Sequence, residues 1–558
     1  MPSLREAHLG HAQHYWGVAM RAEQLYKGGS KSLVHGLALF DQEWPNIQVG
    51  QAWAEINSSE EDIASELCSF FAGASVELLL LRQFPSERIR WLKAALSAAQ
   101  RLQDRLAEGT HLGNLGLAYA ASGEPKLAIE CYEKHLSIAR EIGDSTGESN
   151  ALGNLGNAYY SQGQIHQAIE CHEQALAIDR KIGNRRGEGH DLCNLGAMCH
   201  ALGKTYQARD YLRQALDIAR DIGNRHGEGS ASGNLGNVYY SLGDMARAVE
   251  YYEQHLVITH EIGDRRQEII ALGHLGDVLA ESHETRRAID YFMQQLVIAR
   301  EIKDHRHEIA TLGKLGRIFA RLGETRQATA FFEQQLNLAR EIGDFRYEAN
   351  ALGNLGIVNE GIGDFRSSIK LYEQALIILR RIGDRQGEST ALGHLGTAYD
   401  ALGDARRAVE YYHQSLTIKR EVGDRRGEGC TLGNLGNALA NLGLTSQAIT
   451  CYEEQLIIAR KVGDRYSEGN GLASLGIIYT NLGEMRALTC LEQALSLHRE
   501  VGDRRGEGST LFNLSRVFRL LGEDTQAIAY AEAALNILEQ IKDPNVAKVR
   551  EQLSQWRQ

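Results

Sequence analysis

Judged by its apolar positions alone, the chain repeats itself. Between 144 and 183, Leu152, Leu155, Ala158 and Tyr159 fall three, four and seven apart, and further on Ala168, Ile169, Ala175, Leu176 and Ile178 do the same. Those steps place each set on one side of a 3.6-residue helix, and no alternating pattern competes for a strand. The same pair of helices returns every forty residues: the Leu-Gly of the first helix recurs at Gly116, Gly156, Gly196, Gly236, Gly276, Gly316, Gly356, Gly396, Gly436 and Gly476. An eleventh copy has Ser515 there. The tenth is one residue short between Gly483 and Ala487, where a turn between helices would absorb the loss. Such a period predicts an all-α array in which each hairpin buries its apolar side only against its neighbours.

Glycine and aspartate punctuate the repeat. Gly163 and its equivalents turn the chain between the two helices, and Gly183 and its equivalents suit the left-handed residue that ends the second. The next position carries Asp144, Asn184, Asn224, Asp264, Asp304, Asp344, Asp384, Asp424, Asp464 and Asp503. Either side chain can accept from the free N–H groups of a helix start, so the row reads as N-caps. A metal ligand or catalytic carboxylate would not tolerate the exchange. Residues 1–68 are expected to form a helical cap on the array, broken into short helices by Gly28-Gly29 and Pro45. Residues 69–109 make a degenerate first repeat, Asp104 lying forty residues before Asp144. The tandem repeats run over 110–543, the last copy at about 504–543, and 544–558 form a C-terminal capping helix.

The unit resembles the tetratricopeptide repeat. Leu115-Gly116, Tyr119, Ala128 and Tyr132 match its L-G-x-x-Y and A-x-x-x-Y elements, as do Leu235-Gly236, Tyr239, Ala248 and Tyr252. The family's aromatic at the start of the first helix is replaced by Leu112, Leu152 or Leu352, and its terminal proline by Gly-Asp. The longer L-G-N-L-G-N-A-Y form with I-G-D-R is most similar to the Leu-Gly-Asn repeats of Pins-type polarity adaptors, with kinesin light chains as more distant relatives. This resemblance, over about 104–543, implies a right-handed α-solenoid, a superhelix that grips an extended peptide in its concave groove. In the lead-in, His8–Trp16 and Gly36–Ile47 resemble the segment before the repeat array of bacterial STAND (NB-ARC-type) signalling proteins. That implies an alternative role as the ligand-sensing arm of an ATPase switch whose ATPase is absent from this chain.

In that family the first helix of each unit lines the groove. Here it carries two polar positions three apart. The inner one holds Asn114, Asn154, Asn194, Asn234, Asn354, Asn434 and Asn513, and the outer one Asn157, Asn237 and Asn437. A carboxamide both donates and accepts, so these rows would hold a peptide backbone without reading its side chains, or would bond the neighbouring repeat. Gly113, Gly153, Gly233, Gly353 and Gly433 precede the inner row, either for close approach of a guest or for helix packing. Repeats five to eight depart from the Asn pair with His274/Asp277, Lys314/Arg317, Asn354/Ile357 and His394/Thr397. Lys314, Arg317 and Arg321 share one helix face, either as a spot for an acidic group of the partner or as a solvated charged face.

Composition narrows the remaining chemistry. The formal charge of −12, with 72 acidic and 60 basic residues, argues against nucleic acid as a partner. The longest apolar run, Val76–Leu81, is too short for a membrane span, and the start lacks the regions of a signal peptide, so no membrane and a cytoplasmic location are expected. Cys131, Cys171 and Cys451 share a position that elsewhere carries Tyr211, Phe331 or Leu371, which marks packing rather than disulfide or metal chemistry. Gly29-Ser30-Lys31-Ser32 is not a phosphate-binding loop, and the Asp-Arg-Arg-Gly-Glu-Gly joints at 424–429 and 503–508 follow no strand. No catalytic set can be assembled from spacing, and no cofactor or metal is expected. The expectation is a non-catalytic scaffold for an extended peptide or protein segment.

Overall fold

The computed structural model describes residues 3–27, 30–74, 78–79 and 85–557. Among them are 27 helices and no strand, and they divide into two compact units, 1–291 and 292–558. In the regular part of each unit, helices of 17 or 18 residues alternate with short turns, as in Arg225–Ser241 followed by Met245–Ile262. Counted from cap to cap, repeat 1 begins at Asp104, repeat 4 at Asn224 and repeat 10 at Asp464.

Between repeats, one residue closes the second helix and opens the first helix of the next copy. Gly143 ends Pro125–Ile142 in the left-handed region (φ 70°), while the Asp144 N–H donates to the Ala139 carbonyl at 2.9 Å. The Asp144 carboxylate then accepts from the Gly147 N–H at 2.9 Å, capping Ser145–Ser161. The same arrangement holds at the Asn caps, where Asn184 and Asn224 accept from Gly187 and Gly227. It spends two of the orphan groups left at every helix end.

The Leu-Gly signature is a matter of space. A Cβ on Gly436 would lie 2.7 Å from the Tyr452 ring of the second helix, and Gly236 and Gly356 stand closer still to Tyr252 and Tyr372. Where Ser515 replaces the glycine, the residue that would hold the aromatic is the buried Ala531. In repeat 10 the second helix, Arg486–Glu500, has 15 residues and starts three residues after Gly483 rather than two, so the missing residue comes out of the helix; Gly483 keeps φ 70°.

The lead-in differs from expectation at Pro45, which lies inside the 28-residue helix Ser30–Asn57 and does not end it. A proline within a helix costs roughly 3 kcal/mol. Here the residues around it are held by packing: Trp44 stacks on Trp91 at 5.5 Å, and Phe40 and Ile47 are fully buried. Gly28-Gly29 and most of Val76–Leu81 lie outside the described residues, though Leu78 and Leu79 are buried. At the other end Val546–Trp556 buries Val549 and Leu553 against Ala531 and Leu538. No helix among the described residues is long and apolar enough to cross a membrane.

Candidate functional site

The inner row of polar residues straddles two repeats. Asn114, Asn154, Asn194, Asn234, His274, Lys314, Asn354, His394 and Asn513 are half-buried, and Asn434 is exposed. Three of them pack on the aromatic of the preceding repeat: His274 on Tyr252 (4.9 Å between rings), His394 on Tyr372 (5.0 Å), and the Lys314 ammonium over Phe292 (5.2 Å). The Asn234 amide points at the Cys193 sulfur at 3.5 Å. Each such side chain thus gives part of its surface to a neighbour and presents the rest outward.

The outer row is oriented from below by tyrosines. Tyr252 Oη donates to Asn237 Oδ1 at 2.7 Å, and Tyr452 Oη to Asn437 Oδ1 at 2.6 Å. In repeat 8 Tyr412 makes the same bond to Thr397 at 3.2 Å, and in repeat 7, where Ile357 offers no oxygen, Tyr372 turns to Glu360 at 2.7 Å. Burial pushes the Tyr452 hydroxyl up to about 12, so it stays protonated and donates. With its oxygen taken, each asparagine has its NH2 group left for a guest. Asn157 has no such support, because residue 172 is a histidine, bonded to Asp191 at 2.9 Å. On repeat 6, Lys314, Arg317 and Arg321 lie along His305–Arg321, the two arginines exposed.

Three of the glycines before the inner row face their own repeat, while Gly153 faces Asp191 of the next, 3.7 Å from where its Cβ would stand. A Cβ on Gly113 would meet His135 at 2.9 Å, one on Gly233 His255 at 2.8 Å, and one on Gly433 Gln455 at 2.9 Å. Gly353 has open space, because the matching second-helix residue is Ala375. Burial pushes the His255 imidazole down to about 4, helped by His274, so it is neutral near pH 7.

Three of the clefts among the described residues open on the first helices at joints between consecutive repeats, and the first of them extends from Asn150 of repeat 2 to His274 of repeat 5. The widest, about 650 Å³, is centred on repeats 3 and 4 and lined by Asn194, Asn234, Asn237 and His274, with Ala215, Ile218 and Ile222 as an apolar wall. The second, about 490 Å³, joins repeats 7 and 8 at Asn354, Ile357 and His394; the third, about 540 Å³, joins repeats 9 and 10 at Asn434 and Asn437. Asn114, Asn154, Asn157, Asp277, Lys314, Arg317 and Arg321 lie outside these three clefts. Sequence reasoning missed Asn150, His190 and Arg186, which line the widest. Asn150 and His190 stand four residues before the inner row, hence on the same helix face, and that spacing could have found them.

The Asp-Arg-Arg-Gly-Glu-Gly joints are helix starts. Glu428 accepts from Arg420 and Arg425, each at 2.7 Å; burial pushes this carboxyl up, but the two guanidiniums outweigh it and hold it below the usual range. Among the described residues no group of three or more His, Cys, Asp or Glu could hold a metal ion, and all eight cysteines are free.

Comparison with known proteins agrees with this architecture. A solved signal-transduction ATPase with numerous domains, carrying a tetratricopeptide repeat sensor, from Pyrococcus horikoshii, is 14% identical over 75% of this chain and 65% of its own, with a TM-score of 0.53. The apo quorum sensor NprR from B. thuringiensis is 15% identical over 65% of this chain and 99% of its own (TM-score 0.45). BtubC (BKLC) from P. vanneervenii is 20% identical over 40% and 91% (TM-score 0.36). The first of these is a likeness of fold. No curated protein matches the chain. The tetratricopeptide repeat model matches residues 108–181, 191–259, 267–341, 347–421, 431–466 and 472–540, well over half of the sequence. The fold is a scaffold for protein–protein interaction, and the chain belongs to the tetratricopeptide repeat family.

Proposed function

We propose that the first-helix face binds an extended peptide or protein segment, the array acting as a scaffold without chemistry of its own. One observation carries this reading: buried tyrosines take the oxygens of Asn237 and Asn437, leaving the amide donors to meet carbonyls of a guest backbone. Asn194, Asn234 and His274 stand beside Asn237 in one cleft. Each hydrogen bond contributes only about 0.5–1.5 kcal/mol, so affinity comes from several in a row. The basic residues Lys314, Arg317 and Arg321 would receive an acidic group of the same guest.

The test begins with peptides selected from a random display library on the intact chain. Replacing Asn194, Asn234 and Asn237 together by Ala should weaken them by roughly ten- to a hundredfold, as two or three lost bonds imply. Lys314→Glu with Arg317→Glu should weaken only those carrying an acidic residue. Unchanged affinity in the triple variant would sink the reading.

A second reading, the sensor arm of a STAND-type switch, rests on the lead-in. Its two resembling motifs fall on Leu4–Lys27 and Ser30–Asn57, helices that share one core through Ala12, Ala19, Phe40 and Ile47. An ATPase that co-purifies with the chain, and whose turnover changes when a selected peptide is added, would favour it; a peptide without effect on such a partner would count against it.

A further inference from the structure

The joint of repeats 3 and 4 lacks a carboxylate that its counterparts have. At the joint of repeats 9 and 10, Arg426 pairs with Asp464, the cap thirty-eight residues on, at 3.2 Å; beyond repeat 11, Arg505 pairs with Asp543 at 2.9 Å. In the cleft of repeats 7 and 8, Arg346 and Asp384 stand on the same lining but form no ion pair among the described residues. The equivalent residues of repeats 3 and 4 are Arg186 and Asn224. Asn224 still caps its helix, accepting from the Gly227 N–H at 3.1 Å, but it brings no charge. Arg186 is exposed and forms no ion pair among the described residues.

The rest of this cleft is as free of acids. Its lining holds Arg186, His190, His226, His255 and His274 and no Asp or Glu, in a chain of net charge −12. His255, only 4% exposed, also lines it, its Nδ1 buried against Gly233 with no hydrogen-bond partner among the described residues. Asn184, the other neutral cap, has a local cause, since its amide donates to the buried Asp179 at 2.9 Å. For Asn224 no internal partner accounts for the loss of charge. A carboxylate brought from outside would fill the place and make the pairing that Arg426 and Arg505 make with Asp464 and Asp543.

We infer that the cleft between repeats 3 and 4 is the seat for an acidic side chain of the bound segment, the guest's carboxylate standing in for the aspartate missing at Asn224 and pairing with Arg186. The partner is therefore an extended acidic peptide, its aliphatic atoms lying along Ala219 and Ile222. This rests on the peptide-binding reading above and adds a specificity to it.

The probes are two synthetic peptide pools, identical except for a central Glu in one and Gln in the other, with neutral residues randomised on both sides. Binding to the intact chain is read by fluorescence anisotropy. The Glu pool should bind about tenfold more tightly than the Gln pool. Asn224→Asp supplies the carboxylate internally and keeps the cap, as Asp does at nearly every other repeat, so it should fold normally and abolish the preference for Glu over Gln. Arg186→Gln, at an exposed position, should abolish it as well. A preference that survives both substitutions would overturn the assignment, and equal binding of the two pools to the unmodified chain would overturn it while leaving peptide binding intact. If neither pool binds, the peptide-binding reading fails and takes the seat with it.

Discussion

The joint of repeats 3 and 4 and that of repeats 9 and 10 are the same construction with different contents. Both set a first-helix face over the second helix of the preceding repeat, and both start the next helix on a capped residue. At the second joint Gln455 lies against Gly433 and Asp464 neutralises Arg426, so the cleft is smaller, about 540 Å³, and the charge is closed. At the first, Ala215 and Asn224 hold those two places, and the cleft is larger, about 650 Å³, and leaves Arg186 without an ion pair among the described residues. A repeat protein can therefore keep every fold-determining residue and still write a site by two omissions. The frame resists change because each of its residues answers to two helices; the contents answer to one.

The largest expected effects come from breaking the frame itself. Gly196→Val would drive into Leu212 and Gly436→Val into the Tyr452 ring, where even a Cβ would stand 2.5 Å and 2.7 Å from its nearest neighbour. Overpacking of this kind costs about 1–3 kcal/mol, and the rigid aromatic ring places Gly436→Val at the upper end. Amide hydrogen exchange should show faster opening of the repeat concerned, with both joints affected alike because neither glycine belongs to the cleft contents. If only one joint opened, the shared frame would be an illusion.

The wall residue gives a smaller effect that depends on pH. His255 occupies the place over Gly233 that Gln455 occupies over Gly433. Burial, with a smaller contribution from His274 and opposed by Asp264, pushes His255 down to about 4, against an unfolded value near 6.5. Between those values the unfolded chain binds a proton that the folded chain refuses, so stability falls as pH falls through that window. At pH 5 the loss around repeat 4 should be on the order of 1–2 kcal/mol. His255→Gln should flatten this part of the profile, measured by hydrogen exchange between pH 7 and 5; a profile of the same slope in the variant would remove the histidine from the account.

The hairpins, the caps and the Leu-Gly row were legible in the sequence because each is a local requirement. A helix start wants an acceptor, and a glycine sits where an aromatic ring crosses. What was not legible was any residue with a second duty far along the chain. Asp and Asn are synonyms for capping, and reading Asn224 only as a cap hid the charge that Arg186, thirty-eight residues earlier, would otherwise meet. Ala215 likewise looked like one more apolar position, although it decides the wall of a cleft. The inner row lies on first helices, but how much of each side chain is given to the neighbouring repeat depends on the residue beneath, as Tyr252 under His274 shows. Pro45 failed as a helix break because the stacking of Trp44 on Trp91 is a tertiary contact that no local rule contains.

The smallest effect concerns the residue that closes each joint. Gly223 at the joint of repeats 3 and 4 and Gly463 at that of repeats 9 and 10 adopt φ 65° and 71°, whereas Lys303 holds the same place before Asp304 at φ 56°. A side chain in this left-handed region costs roughly 1–2 kcal/mol, because its Cβ crowds the following carbonyl oxygen. Glycine would remove that cost and return part of it as greater freedom of the unfolded chain. Lys303→Gly should therefore stabilise the joint by about 0.5–1 kcal/mol, and Gly463→Lys should weaken its own joint by a similar amount. Both should leave the Glu-over-Gln preference untouched, since neither residue lines the cleft of repeats 3 and 4. A change in that preference on altering Lys303 would mean that the joints do not act independently, and the contrast between one open joint and its closed copies would have to be drawn over longer stretches of the array.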